Sequence, residues 1–357
     1  MIGLVKKNNK PLKNKLLKTI LKTTGILLLV FVLIAASTAC ASKDTDEAKN
    51  TGSDIQAKDG AGTEKEAKKA EDSGFPLVVK DAKGVEIEIK EKPKKIVSLT
   101  LTTDEMLLSL VDKSRIAALS YLSEDPGLSN VVEEAKEIPV KVKMELETLI
   151  SLQPDLLIVA DWTDENAVKQ LRDANITVYT LATPNNIDGV KDAVMKVAQL
   201  VGEKDKGQDI VSWMDIKLKA VEDKVKTLKD EQKPKVLSCD SFLYTYGIGT
   251  TFDDIARHAG VINLAAEQGM EMWQEISKEK IVELNPDVLF LPSWSYEGFD
   301  AEEFTEDFKN DKSLAGVNAV KNNRIFNLPE AHMTTTSQNI VLGVEDVAKA
   351  VYPELFK

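Results

Sequence analysis

The chain has 357 residues, 43% hydrophobic and 29% charged, with 18 Gly and 12 Pro. That length suits two domains or one large one, and the composition is globular, which excludes a wholly disordered or collagen-like chain. Lys and Arg total 46 against 58 Asp and Glu, a net charge of -12, which argues against a general nucleic-acid binder, while two Cys and two His exclude a disulfide framework and a His-rich metal site.

Residues 1–24 carry seven Lys and no acid, and Ile26 to Ala36 is an unbroken apolar run. A spanning helix takes about 20 residues, so this run reads as the core of a signal peptide covering residues 1–39. Ser37, Thr38 and Ala39 precede Cys40, and small residues before a Cys resemble the lipobox of bacterial lipoproteins, with Cys40 as the acylated first residue. Removing the seven lysines takes the net charge from -12 to about -19. Attachment to an anionic membrane would then rest on acyl chains, not on charge. Residues 40–74 are mostly Lys, Asp, Glu, Ala, Gly and Ser with Ile55 the only large aliphatic, which predicts a flexible tether spanning roughly 30 Å. The folded part is therefore expected outside the cytoplasm, close to a membrane but not in it.

Further along, Ile116 to Leu119 reads as a strand ending at Ser120 and Tyr121. Leu146, Leu149, Ile150 and Leu152 have helical spacing, and Pro154 ends that helix by pushing Gln153 out of the α region. Leu156 to Ala160 is a continuous apolar run, as expected of a parallel strand buried on both faces. A helix is predicted over Ala167 to Ala174 and a strand over Ile176 to Tyr179. Ile210, Met214, Leu218, Val221, Val225 and Leu228 then mark one face of a long helix from about Lys204 to Asp230. Cys239 lies in the apolar run Val236 to Leu243, which makes it a core thiol. His258 falls on a helical run, Phe252 to Ala259, and reads as structural.

The chain repeats itself. Glu147 to Trp162 and Glu279 to Trp294 align at a constant offset of 132, with six of sixteen positions identical and five more exchanging one apolar residue for another. Weaker echoes pair Lys92 to Ser98 with Lys233 to Ser238, and Ile176 to Tyr179 with Arg324 to Asn327. Three echoes in one order predict two similar α/β lobes, residues 75–203 and 233–357, joined by a helix over 204–232. Ligands of parallel α/β sheets sit beyond the carboxyl ends of the strands. Trp162 and Trp294 fall just past such ends, one per lobe, facing a cleft.

Several segments together resemble the solute-binding proteins of ABC importers for iron-siderophores, haem and vitamin B12. They are Asp81 to Ile89 followed by Pro93 to Leu99, Leu146-Glu147 before Gln-Pro-Asp155, Ala259 to Asn263, and Leu314 to Val320 with Arg324 to Phe326. The resemblance covers about Val78 to Phe356. It implies a class III periplasmic-binding-protein fold: two Rossmann-like lobes joined by a single long helix. It also implies that one Glu per lobe, Glu147 and Glu279, docks on Arg residues of a permease, for which a carboxylate's bidentate geometry is suited. In local detail the nearest members are the vitamin B12-binding proteins, which implies ligand contacts at Tyr121, Trp162 and Trp273. Lys141 stands where those proteins carry another Trp.

The chain has four Arg, none at a predicted strand end, which disfavours anionic chelates that need Arg clusters. A large, weakly charged ligand gripped by aromatic faces is left. The candidate walls are Tyr121, Trp162, Tyr244, Tyr246, Trp273, Trp294 and Tyr296, with Lys141 and Lys143 as sources of charge. His332 and Met333, in the loop Pro329 to Ser337, are candidate ligands to haem iron or cobalt. No Gly-x-Ser-x-Gly elbow, His-Glu-x-x-His or P-loop is present, and Gly247-Ile-Gly249 is only a fragment of a dinucleotide loop. The expectation is a monomeric, non-enzymatic binding protein with no resident cofactor and no nucleic-acid partner. It captures a metal chelate, a cobalt corrinoid or a ferric siderophore, and delivers it to an ABC permease with its cytoplasmic ATPase. The alternative is a haem- or siderophore-binding surface receptor working without its own permease.

Overall fold

A computed structural model describes residues 74–357. The predicted signal peptide, Cys40 and nearly all of the predicted tether lie outside the described residues. The first lobe opens with an antiparallel hairpin of β1 (Leu77–Lys80) and β2 (Glu86–Ile89). Asp81 builds its turn: Oδ1 accepts the Lys83 and Val85 amides at 2.9 Å each, and Arg172 bonds Oδ2 at 2.6 Å. There follow β3 (Ile96–Ser98), α1 (Leu101–Leu110), β4 (Ile116–Ser120), α2 (Val132–Ala135), β5 (Lys141–Val142), α3 (Leu146–Leu152), β6 (Leu156–Ala160), α4 (Glu165–Asp173), β7 (Val178–Leu181) and α5 (Ile187–Val201). Helix α4 begins two residues before the apolar pattern because the Asp164 carboxylate caps the Ala167 amide at 2.8 Å. The sheet is parallel, in the order β5-β4-β3-β6-β7. Interior strand β6 is buried throughout, as a strand covered by helices on both faces must be.

Helix α6 (Lys204–Val225) connects the lobes. It stops short of the predicted end because Leu228 reaches the core through a tighter turn, its amide bonding Val225 O at 3.0 Å. The second lobe contains β8 (Lys235–Ser238), β9 (Tyr244–Tyr246), α7 (Thr251–His258), β10 (Ile262–Asn263), α8 (Leu264–Glu267), β11 (Trp273–Glu275), α9 (Lys278–Leu284), β12 (Val288–Phe290), α10 (Ala301–Asn310), α11 (Asn318–Lys321), β13 (Ile325–Phe326), α12 (Glu330–Met333) and α13 (Ile340–Val351). Its parallel sheet runs β10-β8-β12-β13, which repeats the order β4-β3-β6-β7 of the first lobe. A two-stranded ribbon, β9 with β11, is the second lobe's addition.

Each lobe has an apolar cluster on the outer face of its sheet, one around Leu149, Leu157 and Val178, the other around Ile281, Leu289 and Phe308. The inner faces share a third cluster. It runs from Ile96, Leu107 and Val194 through Met214, Leu218 and Val221 of α6 to Phe252, Phe290 and Val344. The lobes are thus joined by one continuous core as well as by a helix. Cys239 is buried in the second lobe, and burial pushes its thiol up to about 12. Among the described residues no helix is long and apolar enough to cross a membrane.

Candidate functional site

The carboxyl ends of the strands in both lobes open on a cleft. On the first lobe, Leu99 to Thr102 after β3, Ala160 and Trp162 after β6, and Thr183-Pro184 after β7 line a hollow of about 200 Å³. Thr336 from the second lobe closes its edge, with Thr102 Oγ1 hydrogen-bonded to Thr336 Oγ1. Trp162 stands 73% exposed on this shelf. An indole this exposed takes no part in the packing of its own lobe.

On the second lobe a cavity of about 420 Å³ is lined by Asp240, Phe242, Tyr246, Trp294, Tyr296, Phe299 and Glu330, with Leu128 entering from the first lobe. The aromatic rings form a connected series: Trp294 and Tyr296 have centroids 5.1 Å apart, and Tyr296 stacks on Phe299 at 5.1 Å. Trp294 crosses the cleft. Its indole lies against Gly127 of the first lobe, where a Cβ would fall 1.7 Å from Trp294 Cδ1. Only glycine leaves room for that ring, so the two lobes meet through it. Burial pushes the Glu330 carboxyl above the ordinary carboxylate range, and the Asp240 charge adds to this, against a backbone hydrogen bond from Ser293. Asp240 is held by the Phe242 and Tyr244 amides, both at 2.8 Å to Oδ1.

The ribbon β9/β11 brings further predicted residues to this wall. Trp273 pairs with Tyr246, and Glu275 with Tyr244, so all four side chains share one face of the ribbon. Tyr246 lines the cavity, while Tyr244 and Trp273 stay exposed beside it. Tyr121 follows β4 at the first lobe's rim, with the Lys143 ammonium 4.5 Å over its ring.

Three expectations change. His332 lines neither cleft hollow: its Nδ1 lies 2.6 Å from Asp346 Oδ2 on α13, because its short helix turns that side chain outward. Met333 is buried in the shared core. Lys141 brings no free charge, since its Nζ donates to Ala135 O (3.0 Å) and Ile138 O (2.6 Å) and pairs with Glu124 at 3.0 Å. All four Arg serve elsewhere: Arg115 on Glu203, Arg172 on Asp81, Arg257 on Asp254 and Arg324 on Val351 O. Among the described residues, no three His, Cys, Asp or Glu side chains converge to hold a metal ion. A further surface hollow, about 940 Å³ beside Pro234, Arg324 and Tyr352, lies at the amino ends of the second lobe's strands, the wrong pole for a site in a parallel sheet.

The sequence profile of the periplasmic binding protein family matches residues 96–331. The chain belongs to that family. It is 30% identical over 275 residues to an uncharacterized ABC transporter substrate-binding lipoprotein, YvrC, of Bacillus subtilis, covering 75% of this chain and 83% of that one. It is 23% identical over 260 residues to the molybdate-binding protein MolA of Haemophilus influenzae, covering 67% and 71%. The structure of MolA bound to molybdate superimposes with a TM-score of 0.67 at 21% identity, covering 78% of this chain and 92% of that one. A cobalamin-binding protein of Halobacterium salinarum is 25% identical over 203 residues, covering 56% and 54%. The family's two-lobed class III architecture is the one described above, and the two relatives named here with a solute are named for different ones, molybdate and cobalamin.

Glu147 and Glu279 sit in the first turns of α3 and α9, two seven-residue helices built alike, and both are exposed. The Glu279 carboxyl is held below its usual range by its own backbone amide and by Ser277. Sequence reasoning did not find Gly127, Asp240, Phe242, Phe299 or Glu330. Phe242 stood in an apolar run, and Glu330 opened the loop examined for His332, so both were near signals that pointed to other residues.

Proposed function

We propose that this protein is an extracytoplasmic, lipid-anchored solute-binding protein that captures a metal chelate between its lobes and delivers it to an ABC permease. The single observation that carries the ligand class is the cleft wall: Trp162 on one lobe and Trp294, Tyr296 and Phe299 on the other, with no Lys or Arg lining either hollow. Aromatic faces grip a broad, partly apolar ligand without demanding a charge from it. A cobalt corrinoid or a ferric siderophore has that character. The cobalamin-binding relative supports the corrinoid form of the proposal, and an oxyanion such as that of the molybdate-binding relative fits an aromatic wall poorly.

Glu147 and Glu279 are proposed to seat the loaded protein on permease arginines. Their support is equivalence: one exposed carboxylate per lobe, on helices of the same length that both end in a left-handed cap, forms a matched pair of contacts. The membrane attachment is proposed to run through an acylated Cys40.

Tryptophan fluorescence of the purified protein, titrated with cyanocobalamin, cobinamide, haemin and ferric siderophores, tests the ligand class. Saturable submicromolar quenching that is lost in Trp294→Ala or Trp162→Ala is the expected outcome. Saturable binding that survives both substitutions would move the site out of the cleft. Charge reversal, Glu147→Arg or Glu279→Arg, is expected to abolish uptake in cells while leaving ligand affinity within a few-fold; a large loss of affinity would contradict separate docking and binding roles.

A further inference from the structure

We infer that the cleft discriminates by ligand charge, and that Glu330 and Asp240 select a cationic chelate, or one bearing a protonated amine, over neutral and anionic ones. The inference rests on the cleft being the binding site. It goes beyond that reading because aromatic walls alone would accept a ligand of any modest charge.

Two carboxylates line the same aromatic cavity, and no basic side chain lines it with them. Neither acid is explained by an ion pair within the fold: among the described residues, the salt bridges include neither Asp240 nor Glu330. One Asp240 oxygen shapes its own turn through the Phe242 and Tyr244 amides. Glu330 is partly buried, and a backbone hydrogen bond from Ser293 offsets only part of that cost. A third acid, Glu275, stands on the same ribbon face as Tyr244, Tyr246 and Trp273. A cation brought here meets ring faces and carboxylates together, and each attracts it more strongly in a site that excludes water. An anion meets like charge at close quarters, which is costly. The Arg that other sites use for anions are all committed elsewhere in the fold.

The test holds the metal core constant and changes only the charge. Ferrioxamine B carries a free ammonium; its N-acetyl derivative removes that charge and its N-succinyl derivative replaces it with a carboxylate. Aquahydroxocobinamide, a monocation, and neutral dicyanocobinamide provide the cation-to-neutral half of that contrast on a corrinoid, with a change of axial ligands. With the full-length protein, affinity within a series is expected to fall from cation to neutral form to anion by about tenfold overall. Glu330→Gln and Asp240→Asn should each narrow that spread, read within each variant as the ratio of cation to anion affinity. Equal or tighter binding of the anionic or neutral form overturns charge selection and leaves the cleft reading intact. A spread that persists unchanged in both variants overturns the assignment to these two acids. No saturable binding by either series overturns the cleft reading, and the inference with it.

Discussion

Asp104 and Glu105 are neighbours on α1, both buried, and they behave differently because different groups reach them. Asp104 turns into its own lobe, accepting the Ser120 amide at 3.1 Å and the Ser120 hydroxyl. Burial still dominates and pushes its carboxyl from 3.8 up to about 7. The folded protein therefore holds this proton to about pH 7, whereas the unfolded chain releases it near 3.8. Across that window the native state binds more protons, so this residue makes stability fall as pH rises, by about 4 kcal/mol in all. Asp104→Asn removes the titration. Relative to wild type the variant is expected to gain stability between pH 5 and 7.5, read from urea midpoints at the two pH values. Parallel pH dependence in the two proteins would refute the assignment. No local pattern in the sequence marks Asp104, because its partners lie on other strands.

At the scale of elements, the repeated Pro-Asp shows why the two lobes keep it. Each copy follows a helix that ends in a left-handed residue, Gln153 with φ 46° and Asn285 with φ 48°. The proline does end the helix, as its sterics require, but through a left-handed cap and not an extended residue. The Asp then ties down the start of the neighbouring strand. Asp155 accepts the Lys94 and Lys95 amides at 2.8 and 2.9 Å before β3, and Asp287 accepts the Lys235 amide at 3.0 Å at the start of β8. The second copy adds Asn318, whose Nδ2 bonds Asp287 at 3.1 Å. Asp155→Ala and Asp287→Ala are each expected to cost about 1–2 kcal/mol in chemical denaturation, since each leaves charge-assisted bonds unmade. A loss at one site only would break the equivalence of the two units. The helix, turn and strand of this unit were legible because their signals are local; the purpose of the Asp was not, because its partners lie some 60 residues away in one lobe and 52 in the other.

The whole molecule is held together across its cleft by Glu105. Its Oε1 accepts the Asn130 amide at 2.9 Å within the first lobe, and its Oε2 accepts Asn339 Nδ2 at 2.9 Å and the Ser337 hydroxyl from the second. Gln338 Nε2 reaches the Glu105 carbonyl at 3.0 Å, and Asn130 Nδ2 bonds Ala331 O at 2.7 Å. With a shared apolar core behind it, this latch leaves little room for a wide hinge. Glu105→Gln replaces a charged acceptor by a weaker one that also carries donors. It is expected to cost about 2–3 kcal/mol of stability and to raise amide exchange over residues 335–340. Unchanged exchange there would show that the lobes are held by the core alone.

The sequence by itself determined the two-lobe repeat, the buried parallel strands, the connecting helix and the scarcity of Arg at strand ends. These follow from periodicity, from proline sterics and from composition, all of which act on a few consecutive residues. Which residues form the cleft was decided only by the tertiary structure. Trp294 needs Gly127 from the opposite lobe, Asp240 and Glu330 meet across a sheet end, and His332, placed by its loop beside the cleft, turns away to Asp346. Each of these pairings joins segments far apart in the chain or depends on the direction of a short helix. Such contacts exist only once α5 of the first lobe and α7 and α13 of the second have packed on α6, because that packing, and not local propensity, sets which strand ends face one another.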